Sequence, residues 1–298
     1  MNIRRMSESD LMSLYGTLSD PVVMKYIEEP YTLEKTKEFI HSAGLSEPPL
    51  VYTAEDETGN YIGYVIYHDY EQNTVELGWI LDKSAWGKGY ASKLTEELIK
   101  RAKLDGKNAV IECNPEQQIT KHIAEKFGFI YEGNVDGCDV FRLRCNRIID
   151  DDLLLTPYYR NDAESFPWYQ DLDVCKQVDN IDHAYDIETL HAMYDYLSAH
   201  GNCYYIQYQG KLVGDVSLRD NAEMAIVVCK EYQNRHIGRK CILDMIELAK
   251  EKGMDKVKAN IYAFNTQSQK MFQSIGFIKT DEERYVYAID TKKEIIIV

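Results

Sequence analysis

Apolar positions along this chain keep two rhythms, a period of two and a period near 3.6, and the order in which the rhythms follow one another is written twice. "TVELGWIL" (74–81) and "EMAIVV" (223–228) predict strands, each running directly into a short polar segment. Beyond it Ala91, Leu94, Leu98 and Ala102 recur at helical spacing up to a stop at Gly106, and Cys241, Met245, Leu248 and Ala249 do the same before Gly253. Upstream in each half, a short strand leads into a helix, its start in the first copy marked by the capping-box-like pair Ser7 and Asp10. A second helix begins near Thr32 and near Ile187, and two strands then meet at the tight turns "ETGNY" and "YQGKL". Each half closes with a strand, a helix ending in Gly-Phe, and two strands, "FIYEG" with "DVFRLR" and "FIKTD" with "RYVYAI".

The two halves align with little slippage. "GNYIGYVIYHD" stands opposite "GKLVGDVSLRD" at an offset of 151, the following strand and loop at 147, and "EKFGFI" opposite "QSIGFI" at 148. Duplicated domains follow, with a boundary near "RIIDDD", giving 1–148 and 149–298. The element order implies an α/β architecture in which a mixed sheet carries helices on both faces.

At 298 residues and 45% apolar, each half is long enough to bury its own core. No stretch approaches the roughly 20 apolar residues of a membrane helix, and "MNIRRMSESD" lacks the apolar core of a signal peptide, so a cytoplasmic protein with no membrane partner is expected. Net charge is −15, shared almost evenly by the halves, which disfavours nucleic acid and favours cationic partners. The seven scattered cysteines lack a C-x-x-C pair, and the seven histidines form no H-E-x-x-H, so no metal site is expected. His122 reads as a helix-face residue. Twenty-three tyrosines read as amphipathic strand and interface surface.

Between strand and helix, unpaired N–H groups point outward and glycine permits close approach. "DKSAWGKGYASK" contains no acid between Lys83 and Lys93, and the same stretch of the second copy holds Arg235, His236, Arg239 and Lys240. Local positive charge in an acidic chain points to a polyanionic ligand, the plain alternative being a capped helix with solvated lysines. A P-loop would require Gly-Lys-Ser/Thr, and here Gly89 follows Gly87-Lys88; a dinucleotide fingerprint would require a third glycine.

"WGKGYA" (86–91) and "QNRHIG" (233–238), with the downstream segments "NPEQQITKHIAEKFGF" and "NTQSQKMFQSIGF", resemble the signatures of the GNAT superfamily of acetyl-CoA-dependent N-acetyltransferases. Gly89 and Ala91 match in the first copy, with Trp86 where the family prefers Gln or Arg; Gln233 and Gly238 match in the second, with His236 in place of the central glycine. The first copy most resembles the branch that acetylates protein N-termini, including those of ribosomal proteins. The resemblance implies two tandem domains, each a mostly antiparallel sheet with a splayed central strand pair. It also implies acetyl-CoA bound along the strand before each signature, at Trp79, Ile80 and Leu81, and at Ile226, Val227 and Val228. The pyrophosphate would be held by Trp86, Gly87, Lys88, Gly89, Tyr90, Ala91 and Ser92, and by Gln233, Asn234, Arg235, His236, Ile237, Gly238 and Arg239. Asn114 or Gln117, and Asn265 with Ser268, would reach the pantetheine.

Glu76 and Glu223, aligned on those strands, are the expected bases for a primary amine acceptor. Many family members place a tyrosine seven residues after the downstream Asn to protonate the leaving thiolate; here that position is Phe272, counted from Asn265, or Ala124, counted from Gln117, so the motif assigns no acid, and Tyr262, Tyr285 and Tyr287 in the second copy and Tyr131 in the first are nearby candidates. The expected reaction is acetyl transfer to a small cationic amine or a peptide N-terminus by direct attack. The alternative is a non-catalytic acyl-CoA-binding or interaction module. Both small residues of the first loop favour that copy as the tighter binder. The acceptor pocket is expected around "EEPYTLEK" and "VDNIDHAYDIE", and the chain as a monomer with an internal pseudo-dimer or as a homodimer, the tail "KEIIIV" offering an edge strand.

Overall fold

A computed structural model describes residues 1–289; the tail "KEIIIV" lies outside the described residues. By contact the chain divides into two compact units, Met1–Ala102 with Asn108–Arg144, and Lys103–Lys107 with the chain from Cys145 onward. The first unit contains β1 (Asn2–Arg5), α1 (Leu11–Leu18), α2 (Pro21–Met24), α3 (Leu33–Phe39), β2 (Val51–Glu55), β3 (Tyr61–Glu71), β4 (Thr74–Leu81), α4 (Tyr90–Leu104), β5 (Asn108–Cys113), α5 (Gln118–Lys126), β6 (Ile130–Val135) and β7 (Cys138–Leu143). The second contains β8 (Arg147–Ile148), β9 (Leu153–Pro157), α6 (Asp162–Ser165), α7 (Leu172–Asp179), α8 (Ile187–Ala199), β10 (Gly201–Tyr208), β11 (Lys211–Arg219), β12 (Met224–Val228), α9 (Ile237–Glu251), β13 (Lys256–Asn260), α10 (Thr266–Ile275), β14 (Ile278–Lys279) and β15 (Arg284–Ala288). Arg147 donates to Asp244 and Glu251 of α9, which ties β8 to the second unit. Among the described residues no helix is long and apolar enough to cross a membrane.

Helix starts are set by local polar groups. Thr32 Oγ1 accepts from the Lys35 N–H at 3.2 Å, and Asp186 from the Thr189 N–H at 2.7 Å, which fixes the start of α3 and α8. The Ser7 N–H donates to Asp10 at 2.8 Å, and the same carboxylate receives Arg4 and Thr53, so the first-copy cap also pins β1 and β2. In the second copy the early helix is broken by a 3₁₀ turn at Phe166–Gln170, where Pro167 cannot continue an α ladder.

Each sheet is a two-faced floor. In β10, Cys203 and Tyr205 pack with Val174, Leu190 and Tyr194 of α7 and α8, while Tyr204 and Ile206 pack with Cys241, Met245 and Phe272 of α9 and α10. In the first unit Leu14, Leu18 and Ile40 meet Val51 and Tyr64 on one face, and α4 buries Leu94, Leu98 and Ala102.

The first sheet runs β1-β2-β3-β4-β5-β7-β6, antiparallel except where β4 meets β5. That parallel pair spans only Thr74–Asn108, Val75–Ala109 and Glu76–Val110, after which the strands part. In the second unit the parting is earlier still: β12 ends a five-stranded sheet, β13 begins a three-stranded one, and a bridge from Glu223 to Lys258 links them.

Both parting strands are held by the same bulge in their neighbour. Ile62 is the extra residue where β3 faces Ala54 and Glu55, and Val213 where β11 faces Ile206 and Gln207. Each bulge carbonyl receives the N–H just beyond the parting strand, Asp82 to Ile62 at 2.9 Å and Cys229 to Val213 at 2.8 Å. The next residue is glycine with φ of +142° or +152°, and a Cβ there would lie 2.2 Å from the Ile80 carbonyl oxygen or 2.1 Å from that of Val227. Gly214→Ala should therefore destabilise the second unit by about 2–4 kcal/mol, and Gly63→Ala the first by a similar amount, in denaturant unfolding. Wild-type midpoints for both variants would show that the bulge does not constrain these strands.

Candidate functional site

In an antiparallel ladder, successive residues turn their main-chain groups to opposite edges. The Cys229 N–H bonds to Val213 and the Arg219 N–H to the Glu223 carbonyl, so odd-numbered residues of β12 face β11. Met224, Ile226 and Val228 consequently turn their N–H and C=O groups toward the parted edge. By the same alternation from Asp82, Leu77, Trp79 and Leu81 do so in β4. Ile80 and Val227, also expected at this edge, direct theirs to β3 and β11 instead.

The first residue of each signature closes the strand end. The Trp86 indole N–H donates to the Leu81 carbonyl at 3.0 Å, and the Gln233 amide to the Val228 carbonyl at 2.9 Å. Trp86 thus supplies the donor that glutamine supplies in the other copy. Its ring adds an exposed apolar surface.

Between that anchor and the helix, both loops use left-handed backbone at alternate positions. Gly87 and Gly89 have φ of +72° and +78°; Asn234 and His236, their counterparts, have +60° and +62°. A Cβ added at Gly87 or Gly89 would meet no protein atom within 4 Å, so the space beside the loop is open. His236 precedes the first turn of α9, and Gly238 inside that turn leaves only ordinary contacts, 3.8 Å and beyond, to an added Cβ. Lys88, Arg235 and His236 are exposed, and Tyr90, Ala91, Ser92 and Arg239 partly so. Arg239 donates to the Ser274 hydroxyl at 2.6 Å, whereas Lys93 and Lys240 reach away to Glu57 and Asp150.

Across the cleft, Asn265 is buried and its Oδ1 accepts from the Ser268 N–H at 3.1 Å, starting α10. In the first copy Asn114 Oδ1 takes the Glu116 N–H and Gln117 Oε1 the Asn114 N–H, each at 2.9 Å. These carboxamides keep an NH₂ end available, a donor suited to an amide carbonyl.

The expected bases are both paired across the ladder. Glu76 lies 3.3 Å from His68, whose pKa the hydrogen bond with Glu76 raises; Glu223 binds Arg219. Tyr131 donates to Asp139 at 3.3 Å, Tyr285 is buried in the core, and Ala124 and Phe272 are buried apolar positions.

A cavity of about 750 Å³ in the second unit runs beside β12 from Gln233, His236 and Gly238 through Ile226 and Asn265 to Glu223; Asp179 and Asp215 also line it, Asp215 level with Val227. Tyr262 lines it, stacked on Phe264 at 5.6 Å, and burial raises its pKa, which keeps the phenol protonated; Tyr285 and Tyr287 do not line it. Asp179 and Tyr185, from the loop expected to shape the acceptor pocket, are on the wall and hydrogen-bonded to each other. Asp215 went unnoticed in the sequence. Its Oδ2 receives the Tyr194 and Tyr169 hydroxyls at 2.8 and 2.9 Å, and burial pushes its pKa up to about 6 against the pull of those two bonds. Strand alternation in "GDVSLRD" was the available signal, since it sets Asp215, Ser217 and Arg219 on one face.

Comparison with known proteins finds an acetyltransferase (GNAT) domain family matching residues 1–130 and an acetyltransferase (GNAT) family matching residues 165–277. Similar curated proteins include the uncharacterized N-acetyltransferase YnaD of Bacillus subtilis, 27% identical over 46% of this chain and 82% of that protein, and the uncharacterized protein YkkB of the same organism, 28% identical over 45% and 84%. Among solved structures, an acetyltransferase (GNAT family) from Bacillus anthracis matches 47% of this chain and 90% of its own at 24% identity, with a TM-score of 0.42.

The left-handed residues give a direct stability test. His236→Gly should raise the second unit's unfolding free energy by about 1 kcal/mol and Asn234→Gly by less, because asparagine tolerates this conformation better. Denaturant unfolding reads the difference, and destabilisation by His236→Gly would show that the imidazole contributes native contacts that outweigh the strain.

Proposed function

Because this chain is a tandem of two domains of the GNAT family of N-acetyltransferases, we propose that it transfers an acetyl group from acetyl-CoA to a primary amine, with a catalytic site in the second unit. The observation that carries this reading is the continuity of one cavity from the left-handed loop, along the parted edge of β12, to Glu223. When bound, acetyl-CoA supplies an acetyl group activated as a thioester.

Each residue then has a physical task. Main-chain N–H groups of Arg235 to Gly238, at the positive end of α9, hold the pyrophosphate, as those of Gly87 to Ala91 would in the first unit. The main-chain groups of Ile226 and Val228, with the Asn265 NH₂, orient the pantetheine arm. An N–H of the same edge stabilises negative charge developing on the carbonyl oxygen. A primary amine has a pKa near 10, so roughly one molecule in a thousand is neutral at pH 7, and Glu223 takes the proton, directly or through water. Tyr262, protonated beside the cavity, is the candidate donor to the departing sulfur.

One observation favours a second role for at least one copy: Ala124 and Phe272 are buried where many family members hold a tyrosine, which suits binding without turnover. The first unit retains the parted strand, the loop and the Trp86 anchor, so it is read as a second acetyl-CoA site.

Asp at Gly238 or Ala91 separates these roles, since a carboxylate in the first turn suits a helix N-terminus yet repels a pyrophosphate. Gly238→Asp should leave the melting temperature unchanged, weaken one class of acetyl-CoA site by about tenfold or more in calorimetry, and abolish amine-dependent thiol release. Ala91→Asp should remove the other site and leave thiol release intact. Unaltered acetyl-CoA binding by both variants would overturn the assignment of the loops, and silence toward every amine despite binding would overturn catalysis.

A further inference from the structure

The duplication supplies an internal control for the acceptor side of the cavity. On the face of β11 and β12 that points toward α7 and α8, three cross-strand pairs form a floor: Asp215 with Val227, Ser217 with Ala225, and Arg219 with Glu223. The corresponding residues of β3 are Tyr64, Ile66 and His68, paired with Ile80, Gly78 and Glu76. The charged end is thus kept in both copies, while the second alone replaces an aromatic and an aliphatic residue by a carboxylate and a hydroxyl.

Those two polar groups are incompletely satisfied. Asp215 is 5% exposed and lines the cavity; both of its hydrogen bonds go to Oδ2, leaving Oδ1 without a donor among the described residues. Ser217 Oγ is buried with no partner and lines the same cavity. A buried carboxylate held by two neutral hydroxyls is poorly compensated, and a cation compensates it best. Asp179 adds a second acid to the lining, and Arg219 of the same strand, four residues from Asp215, is paired with Glu223. In the first copy the comparable loop carboxylate, Glu28, is neutralised by Lys35 at 2.6 Å. Arg239 and Lys270, which line the same cavity from α9 and α10, carry the opposite sign.

Four residues of strand separate Glu223 from Val227, the partner of Asp215, so the two carboxylates sit on the order of 13 Å apart along the sheet at about 3.4 Å per residue. Apolar side chains of α7 and α8, Val174, Val178, Met193 and Leu197, line the same cavity as Ala225. We propose that the acceptor of the second unit is an amine with a second cationic centre, joined to the reacting nitrogen by an apolar spacer on the order of 10 Å, and that Asp215 binds that distal cation. This rests on reading the second unit as the acetyl-CoA site, and it makes Asp215 a specificity residue remote from the reacting atoms.

The probes are 1,8-diaminooctane, octylamine and 1,4-diaminobutane, titrated calorimetrically into the full chain with and without coenzyme A at pH 8. The long diamine should bind about tenfold or more tightly than octylamine, and the short one no better than octylamine. Asp215→Asn should bring the diamine to within about twofold of octylamine while leaving octylamine unchanged. Loss of a buried charge leaves its melting temperature equal or higher, and if that variant fails to fold, the wild-type comparison decides. Equal binding of octylamine and the long diamine, or a diamine preference that survives Asp215→Asn, would overturn the proposal. Diamine preference without thiol release would preserve the pocket and sink acetyl transfer; thiol release without diamine preference would do the reverse.

Discussion

Everything in this molecule that bears on chemistry follows from a parallel strand pair that is abandoned almost as soon as it begins. Buried main-chain N–H and C=O groups require partners, and a sheet normally provides them on both edges. Here β4 keeps β5 for three residues and β12 touches β13 through a bridge, so a row of backbone groups is left facing a cleft. The bulges at Ile62 and Val213 secure the other edge, and the Trp86 and Gln233 side chains close off the last carbonyl. What stays open between these fixtures is a strand-shaped vacancy that an extended, amide-bearing ligand can fill.

Most of this was legible in the chain. Offsets of 147 to 151 disclosed the duplication, and the strand, loop and helix order placed the cleft in each half. Spacing alone could not tell that an indole would do the work of a carboxamide at position 86, because the two share only an N–H at a similar reach. Nor could it tell that Asn234 and His236 would hold glycine-like torsions, since the loop geometry is imposed by its anchor and by the helix that follows. Alternate residues of a strand face opposite ways, so Trp79, Leu81, Ile226 and Val228 turn their main-chain groups to the cleft while Ile80 and Val227 turn theirs to β3 and β11.

The acceptor side was much less legible. Its floor is built from cross-strand pairs whose partners are 4 to 12 residues apart, and its walls come from helices far earlier in the chain. The abundance of tyrosine reads as amphipathic strand and interface surface, whereas Tyr169, Tyr185, Tyr194 and Tyr205 form a buried cluster with residues of α7 and α8. The cross-strand partners of the two strand glutamates, His68 and Arg219, come from the neighbouring strand and leave no mark in local spacing.

The matched torsions of the two loops have one more consequence. Where the first loop presents only hydrogen atoms beside its amides, the second presents a carboxamide and an imidazole at the same two stations. At those two stations its grip on an anion is therefore open to adjustment by ordinary point substitution, whereas the first loop can change there only by giving up the glycines that allow its shape.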